Sequence, residues 1–417
     1  MSTPAPVPAA PEPSADGWQR NVWALALCVF IAFVGFQFFS PFLPIYVREL
    51  GVTDPAALAL WSGALAAVTP AVSGALAPLF GRLADRFGRK MMLIRSLAGF
   101  TVIIAAMGLV RTVPQLFVAR VLQGLFAGFS PMAMAVASVA APRDKVSVAI
   151  GRVQGAQLLS AAIGPAVGGF VASHLGTRAA FFATAVLCAV ALIALIFLFR
   201  EAEPPEAGAA RAHEARRAPL AEFLGRRHFA TVMLLLLLAQ FIDRGLALMI
   251  PLQVAHLPGL EEASAAMSGL IISVAAIGAA ISAALVSRLS EVMPPGRLLF
   301  VQFAAGGVFC AAMALARSWP LLLVLRTLTA LCLGGALTLA YSLGGMIVPA
   351  ETRGAAFGWL AMGVQIGTAA SPLLTGALAA VSLPGAFLLD AALASVGAAV
   401  LFFAARDLIR QRPRGRD

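Results

Sequence analysis

A chain of 417 residues that is 60% apolar and only 12% charged, with a mean hydropathy of +0.91, cannot build the surface of a soluble domain, which carries about 25% charged residues. Apolar stretches of about 20 residues, each long enough to cross roughly 30 Å of hydrocarbon as a helix, account for the composition, and no ten-residue alternation of the β-barrel kind is present. The net charge of +11 does not imply nucleic acid, because the basic residues sit in short connections between apolar stretches.

Taken in chain order, residues 1–20, with Pro4, Pro6, Pro8, Pro11 and Pro13, read as a disordered tail without the basic start and apolar core of a cleaved signal peptide. Hydropathy then predicts twelve helical spans: 22–47, 57–80, 91–110, 114–139, 147–172, 178–199, 229–253, 265–286, 298–316, 320–345, 355–380 and 385–405. A hydrophilic linker, residues 201–228, divides a half at 21–200 from a half at 229–406, and 407–417 form a basic tail. An even number of spans places both termini on one face. Of the 30 Lys and Arg, Arg48, Arg111, Arg178 and Arg317 fall on the opposite face and Arg120, Arg244 and Arg326 inside spans. All the others fall on the terminus face, so the termini are expected to be cytoplasmic and the membrane a bacterial-type inner membrane. Cys28, Cys188, Cys310 and Cys332 lie inside spans as small hydrophobes. His174, His213, His228 and His256 show no ligand spacing, so no metal is expected.

The halves repeat each other. Gly-Arg-Leu-Ala-Asp at 81–85 corresponds to Ser-Arg-Leu-Ser-Glu at 287–291, Arg120 to Arg326, Gly128 to Gly334, Pro44 to Pro251, Pro165 to Pro372 and Gly169 to Gly376. One such match is chance; a run in one register is a duplication. The fold class that follows is an all-α integral membrane protein, two pseudo-symmetric six-helix halves around a central cavity.

Between spans 2 and 3 the chain reads Gly81-Arg82-Leu83-Ala84-Asp85-Arg86-Phe87-Gly88-Arg89-Lys90. Gly81 and Gly88 permit a tight turn, and Asp85 can accept charge-assisted bonds from Arg86, Arg89 or a helix N-terminus. This loop resembles the best-known motif of the major facilitator superfamily. Leu116 to Gly128 in span 4, with Arg120 and Gln123, is similar to the arginine motif of that superfamily's drug:proton antiporters. In span 5, Gly164, Pro165, Gly168 and Gly169 resemble their Gly-Pro motif, with Ser160 where the family usually has glycine. Phe39 to Tyr46 extends the likeness into span 1, although the acid many relatives carry earlier in that span is missing. The runs Pro41–Val52 and Leu79–Arg95 look particularly like bacterial multidrug-resistance exporters of the fosfomycin and deoxycholate type.

The resemblance implies the major facilitator fold with 12 transmembrane helices, a loop acting as a cytoplasmic latch (Gly81, Asp85, Arg86, Gly88, Arg89, Lys90) and a monomer. Glu291 with Arg288 and Arg297 is a degenerate second latch. A charge at a helix centre costs roughly 2.5–3.5 kcal/mol, so each intramembrane charge needs a reason. Arg120 is expected to face the cavity and organise the proton route or the substrate site, or else to bond neighbouring carbonyls. Arg326 sits nearer the periplasmic end of its span, where snorkelling serves as well as function. Asp243, halfway along span 7, is a candidate coupling acid or a structural partner for Arg120, Arg244 or Arg326. Asp390, a turn or two into span 12 where water is near, is a weaker candidate. Gln37, Phe38, Gln123, Gln157, Gln240 and Arg244 are cavity candidates, with Phe36 and Phe126 beside them.

No Gly-x-x-x-x-Gly-Lys-Ser/Thr loop occurs, so the expected energy source is the proton gradient, with no cofactor. The leading reading is proton-coupled efflux of chemically diverse small compounds, such as drugs and amphiphiles, across the lipid bilayer, with no enzymatic chemistry and no nucleic-acid partner. A transporter of one sugar, sugar phosphate or siderophore is the alternative, and a non-transporting scaffold the remote one.

Overall fold

The structure is a computed structural model, and it describes residues 15–38, 42–142, 145–199, 220–226, 228–259, 263–290, 292–348 and 353–404. Among these, twelve helices are long and apolar enough to cross a membrane: Trp18–Phe38, Pro55–Ala77, Arg89–Leu109, Val113–Ala140, Val148–Leu175, Thr177–Leu198, Phe229–Val254, Ser264–Val286, Pro295–Met313, Trp319–Ile347, Ala356–Val381 and Leu383–Phe403. These are spans 1 to 12 below.

The helix ends follow local chemistry. Asp54 caps the helix of span 2 by accepting from the Ala57 amide at 2.7 Å, with Pro55 at the first helical position. Thr112 does the same at span 4, accepting from Gln115. Gly88 ends one helix and starts the next at φ +87°, and Gly176 repeats that device between spans 5 and 6.

Several boundaries differ from hydropathy. The first helix begins at Ala15, so residues 15–20 are helical and lead into span 1 rather than forming part of a tail; Trp18 is buried and stacks under the Arg152 guanidinium at 5.4 Å. Residues 1–14, most of the 201–228 linker and the 407–417 tail lie outside the described residues. Span 1 ends at Phe38 and a short separate helix, Leu43–Glu49, follows. Gly81 is no turn residue: the helix of span 2 continues through it to Phe87, and Gly88 alone makes the turn.

Spans 4 and 10 each break. Span 4 stops at Leu125 and restarts at Phe129 through Gly128 at φ +101°; span 10 stops at Leu333 and restarts at Ala336. Inside a membrane, carbonyls freed by a break need donors. Arg95 donates to the carbonyls of Leu125 and Ala127, both at 2.9 Å, and Ser96 to Phe126.

Each half has its own apolar core, and Leu248, Leu252 and Ala265 of the second half join that of the first. Many large side chains face outward, Phe197, Leu315 and Val381 among them, as lipid contact requires. The halves meet along two seams, span 2 with span 11 and span 5 with span 8. Gly63 lies against Pro372 and Gly376, and Gly169 against the Ala265 carbonyl. Across the second seam Ser273 and Ser173 accept from the amides of Ala166 and Ala266, at 2.9 and 3.1 Å. The glycines let two backbones touch, as small residues do between membrane helices. These contacts lie towards the end of the bundle opposite the termini, so the halves are closed there.

Candidate functional site

A cavity of about 360 Å³ lies between the halves. Spans 1 to 4 give it Phe36, Gln37, Ala66, Thr69, Pro70, Phe100, Arg120 and Gln123; the short helix after span 1 gives Leu43 and Pro44. Spans 7 and 11 give Arg244, Ala247, Leu248, Thr368 and Pro372. The walls are mostly apolar with few polar groups, the usual composition of a small-molecule site. Its described lining residues include two guanidiniums and no carboxylate.

Arg120 is buried and fixed by span 2 and by its own helix. Its Nε donates to the Leu65 carbonyl and its Nη1 to Gln123 Oε1, each at 2.9 Å, while Thr69 donates to the Arg120 carbonyl. The fixed fork of an arginine suits two acceptors in different directions. Arg244 is the freer cation: its side chain is 45% exposed and its Nε lies 4.0 Å from Asp243.

Gln37, Gln123, Arg120 and Arg244 therefore meet at one cavity, and three other candidates do not. Phe38 is buried with its backbone against Gly168. Gln157 donates to Ser130 at 3.0 Å, and Gln240 is buried in span 7. Phe126 stacks on Arg95 instead of lining the cavity. Helical spacing gives depth along a span, not the face a side chain turns to. Sequence reasoning missed Thr69, Pro70, Phe100 and Thr368. Pro44 and Pro372 line the cavity; they were legible as markers of the repeat, and Pro44 also as part of the Phe39–Tyr46 likeness, but not as cavity residues.

The two acids exchange the environments their positions suggest. Asp243, at mid-span, has a side chain 51% exposed and accepts from Arg326 at 3.0 Å. It is not desolvated: half of its side chain stays accessible although it pairs with a buried arginine. Asp390, placed near water by its position in span 12, is fully buried. Arg326 is buried too, so it does not snorkel.

The loop after span 2 grips its own half. Arg89 donates to the Ala135 carbonyl at 3.3 Å, and Lys90 to the carbonyls of Ile196 and Phe199 at the end of span 6. Arg86 stacks over Phe87. The Asp85 side chain and Glu291 lie outside the described residues. In span 5, Gly164 and Gly168 admit span 1, Gly169 admits span 8, and the hydroxyl of Ser160 donates to the Phe30 carbonyl at 2.9 Å.

The chain matches the family model described as "Major Facilitator Superfamily" over residues 25–317 and 257–417. It is 30% identical over 371 residues to the "Multidrug resistance protein MdtG" of a Rahnella species, covering 89% of both chains. To the protein of the same name from Salmonella arizonae it is 31% identical, covering 87% of this chain and 89% of that one. Among solved structures it resembles a bacterial homolog of the human lysosomal transporter Spinster in an inward-facing, occupied conformation, with a TM-score of 0.75 at 17% identity, covering 94% and 97% of the two chains. A second likeness is to the nucleoside transporter NupG, with a TM-score of 0.71 at 13% identity, covering 91% and 99%. The chain belongs to the major facilitator superfamily. It is a multi-pass membrane transport protein of small molecules and not an enzyme.

Proposed function

We propose that this protein exports small amphiphilic compounds across the inner membrane by proton-driven alternating access, as a monomer with both termini in the cytoplasm. The observation that carries this reading is the cavity between the halves, closed at the end away from the termini. With the termini cytoplasmic, the closed end is periplasmic and the cavity is poised to load from the cytoplasm. Apolar walls fit a hydrophobic body, while Arg120, Arg244, Gln37 and Gln123 fit an anionic or strongly accepting head group. The relatives named for multidrug resistance support an exporter with a broad range.

The proton gradient suffices as energy. A driving force of about 150 mV is worth roughly 3.5 kcal/mol per proton, from about 2.3 kcal/mol per charge per 100 mV. At about 1.36 kcal/mol per tenfold, one proton sustains a substrate ratio of a few hundred.

The test is expression in a cell stripped of efflux pumps, a panel of unrelated amphiphiles, and inverted vesicles in which collapse of a pH gradient is followed on substrate addition. Resistance to several unrelated compounds with substrate-dependent proton movement is expected. Response to a single sugar, sugar phosphate or siderophore would refute the broad range, and transport without proton movement the energy source.

A further inference from the structure

Away from the cavity, one carboxylate among the described residues is left without a partner. Asp390 in span 12 is fully buried, and neither of its oxygens has a hydrogen-bond partner. Its Oδ2 lies against Gly245 of span 7, 2.9 Å from where a Cβ on that glycine would sit, on a face shared with Ser371 and Thr375 of span 11. Those hydroxyls spend their protons elsewhere: Ser371 donates to the Phe241 carbonyl at 2.6 Å and Thr375 to the Ser371 carbonyl at 2.7 Å. Thr329 in span 10 likewise donates to the Leu325 carbonyl. A carboxylate ion buried without donors is costly, and such a group takes up a proton instead.

The charged and titratable groups that act on Asp390 are Arg326 of span 10, Asp243 of span 7 and the Cys310 thiol of span 9. Arg326 is itself incompletely satisfied. One Nη holds Asp243 at 3.0 Å, while the buried Nε has no partner. An unpartnered buried donor on span 10 and an unpartnered buried acid on span 12, two spans that both pack against span 9, are the two parts of an ion pair not made in this conformation.

We infer that Asp390 is a proton-binding site of the C-terminal half and that Arg326 passes between Asp243 and Asp390 according to the charge on Asp390. With the proton on the Asp390 carboxyl, Arg326 pairs with Asp243, the arrangement present here. When that proton leaves to a water molecule, the carboxylate draws the guanidinium to span 12, and the half-exposed Asp243 is left to solvent. Protonation of Asp390 from water reverses the exchange. A bound proton thus decides whether span 10 is tied to span 7, which lines the cavity, or to span 12, which does not. This inference rests on the proton-driven reading above and gives it a site.

The full chain in liposomes, titrated by infrared difference spectroscopy, tests it. The wild type is expected to show the C=O stretch of a protonated carboxylic acid that vanishes at alkaline pH. Asp390→Asn should delete that band, and Gly245→Ala, whose methyl presses on Oδ2, should shift it while the acid remains. In transport, Asp390→Asn should lower the ratio of gradient-driven uptake to substrate exchange at least tenfold. A band absent from the wild type, or unchanged in both variants, overturns the inference, as does an unaltered ratio in Asp390→Asn. A wild type that exchanges substrate without moving protons overturns the proton-driven reading, and the infrared titration still decides whether Asp390 binds a proton.

Discussion

Spans 4 and 10 are repeat mates, each with one buried arginine and a break after it, yet the two breaks are held by different means. In span 4, Gly128 adopts a left-handed conformation, the freed carbonyls are taken by Arg95 and Ser96, and Arg120 is tied to the Leu65 carbonyl and to Gln123. In span 10, Gly334 and Gly335 stay near helical geometry and the Gly334 amide keeps its bond to the Ala330 carbonyl at 2.8 Å. Its arginine holds an acid, Asp243, and feels the charge of another, Asp390 of span 12. The N-terminal copy bonds its arginine to groups that do not titrate, which fixes a wall of the cavity. The C-terminal copy bonds its arginine to a group that does, Asp243, which is what a moving charge pair requires. Duplication supplied one scaffold, and the partners of the arginine divided the labour.

The sharpest way to break this comparison is to remove each arginine. Arg120→Ala leaves the Leu65 carbonyl and Gln123 without their donor at the cavity wall. Resistance and substrate binding should be lost, at least tenfold, with normal amounts of protein in the membrane by quantitative blotting. Arg120→Lys should rescue little, because a single ammonium cannot reproduce the two-directional fork. Arg326→Lys, serving one carboxylate at a time, should keep substrate exchange better than Arg120→Lys does. Equal losses in the two lysine variants would erase the distinction.

The next effect concerns the seams. A side chain at Gly169 would run into the Ala265 carbonyl on the other half, whereas one at Gly164 meets Gln37 and Val34 inside its own half. Gly169→Val should therefore pry the closed end open. The expected result is several-fold faster thiol labelling of a cysteine placed at Ser173, with transport reduced. Gly164→Val should leave that labelling near the wild-type rate and disturb the cavity wall through Gln37. Labelling raised equally by both would show that the seam is not set by the cross-half glycine.

Hydropathy made the twelve spans legible, and the repeat singled out Arg120 and Arg326, because both signals depend only on residue type and spacing. The breaks were not legible, since Gly128, Gly334 and Gly335 sit in unbroken apolar runs and a glycine leaves no dip in hydropathy. The roles of the acids were misjudged for a related reason. Position along a helix gives depth, but exposure depends on what stands opposite. Asp390 is sealed by Gly245, Ser371 and Thr375 from spans 7 and 11, and Asp243 keeps half of its side chain accessible. The cavity partners Thr69 and Thr368 lie on spans 2 and 11, brought together only when the halves dock.

The capping of the two breaks predicts smaller effects on stability. Arg95→Ala strips the donors from the Leu125 and Ala127 carbonyls, and an unsatisfied buried acceptor costs about 1–3 kcal/mol. Thermal unfolding in detergent should show that loss, with the rings of Phe80 and Phe126 also losing their cation.

The corresponding place in the C-terminal half belongs to Gln302, in the register that pairs Pro44 with Pro251. Its amide nitrogen lies 2.8 Å from where a Cβ on Gly335 would sit, but its Oε1 is buried without a partner, and the Gly335 amide is satisfied by Ser282 at 3.0 Å. Because span 10 scarcely breaks, it frees few carbonyls, and Gln302 has little of Arg95's work to do. Replacing an unsatisfied buried polar group with an apolar one of similar shape is nearly neutral or stabilising. Gln302→Leu should therefore change stability by less than about 1 kcal/mol, in either direction, in the detergent melt used for Arg95→Ala. A loss as large as that of Arg95→Ala would mean that span 10 depends on a side-chain cap after all, and that the two halves hold their breaks alike.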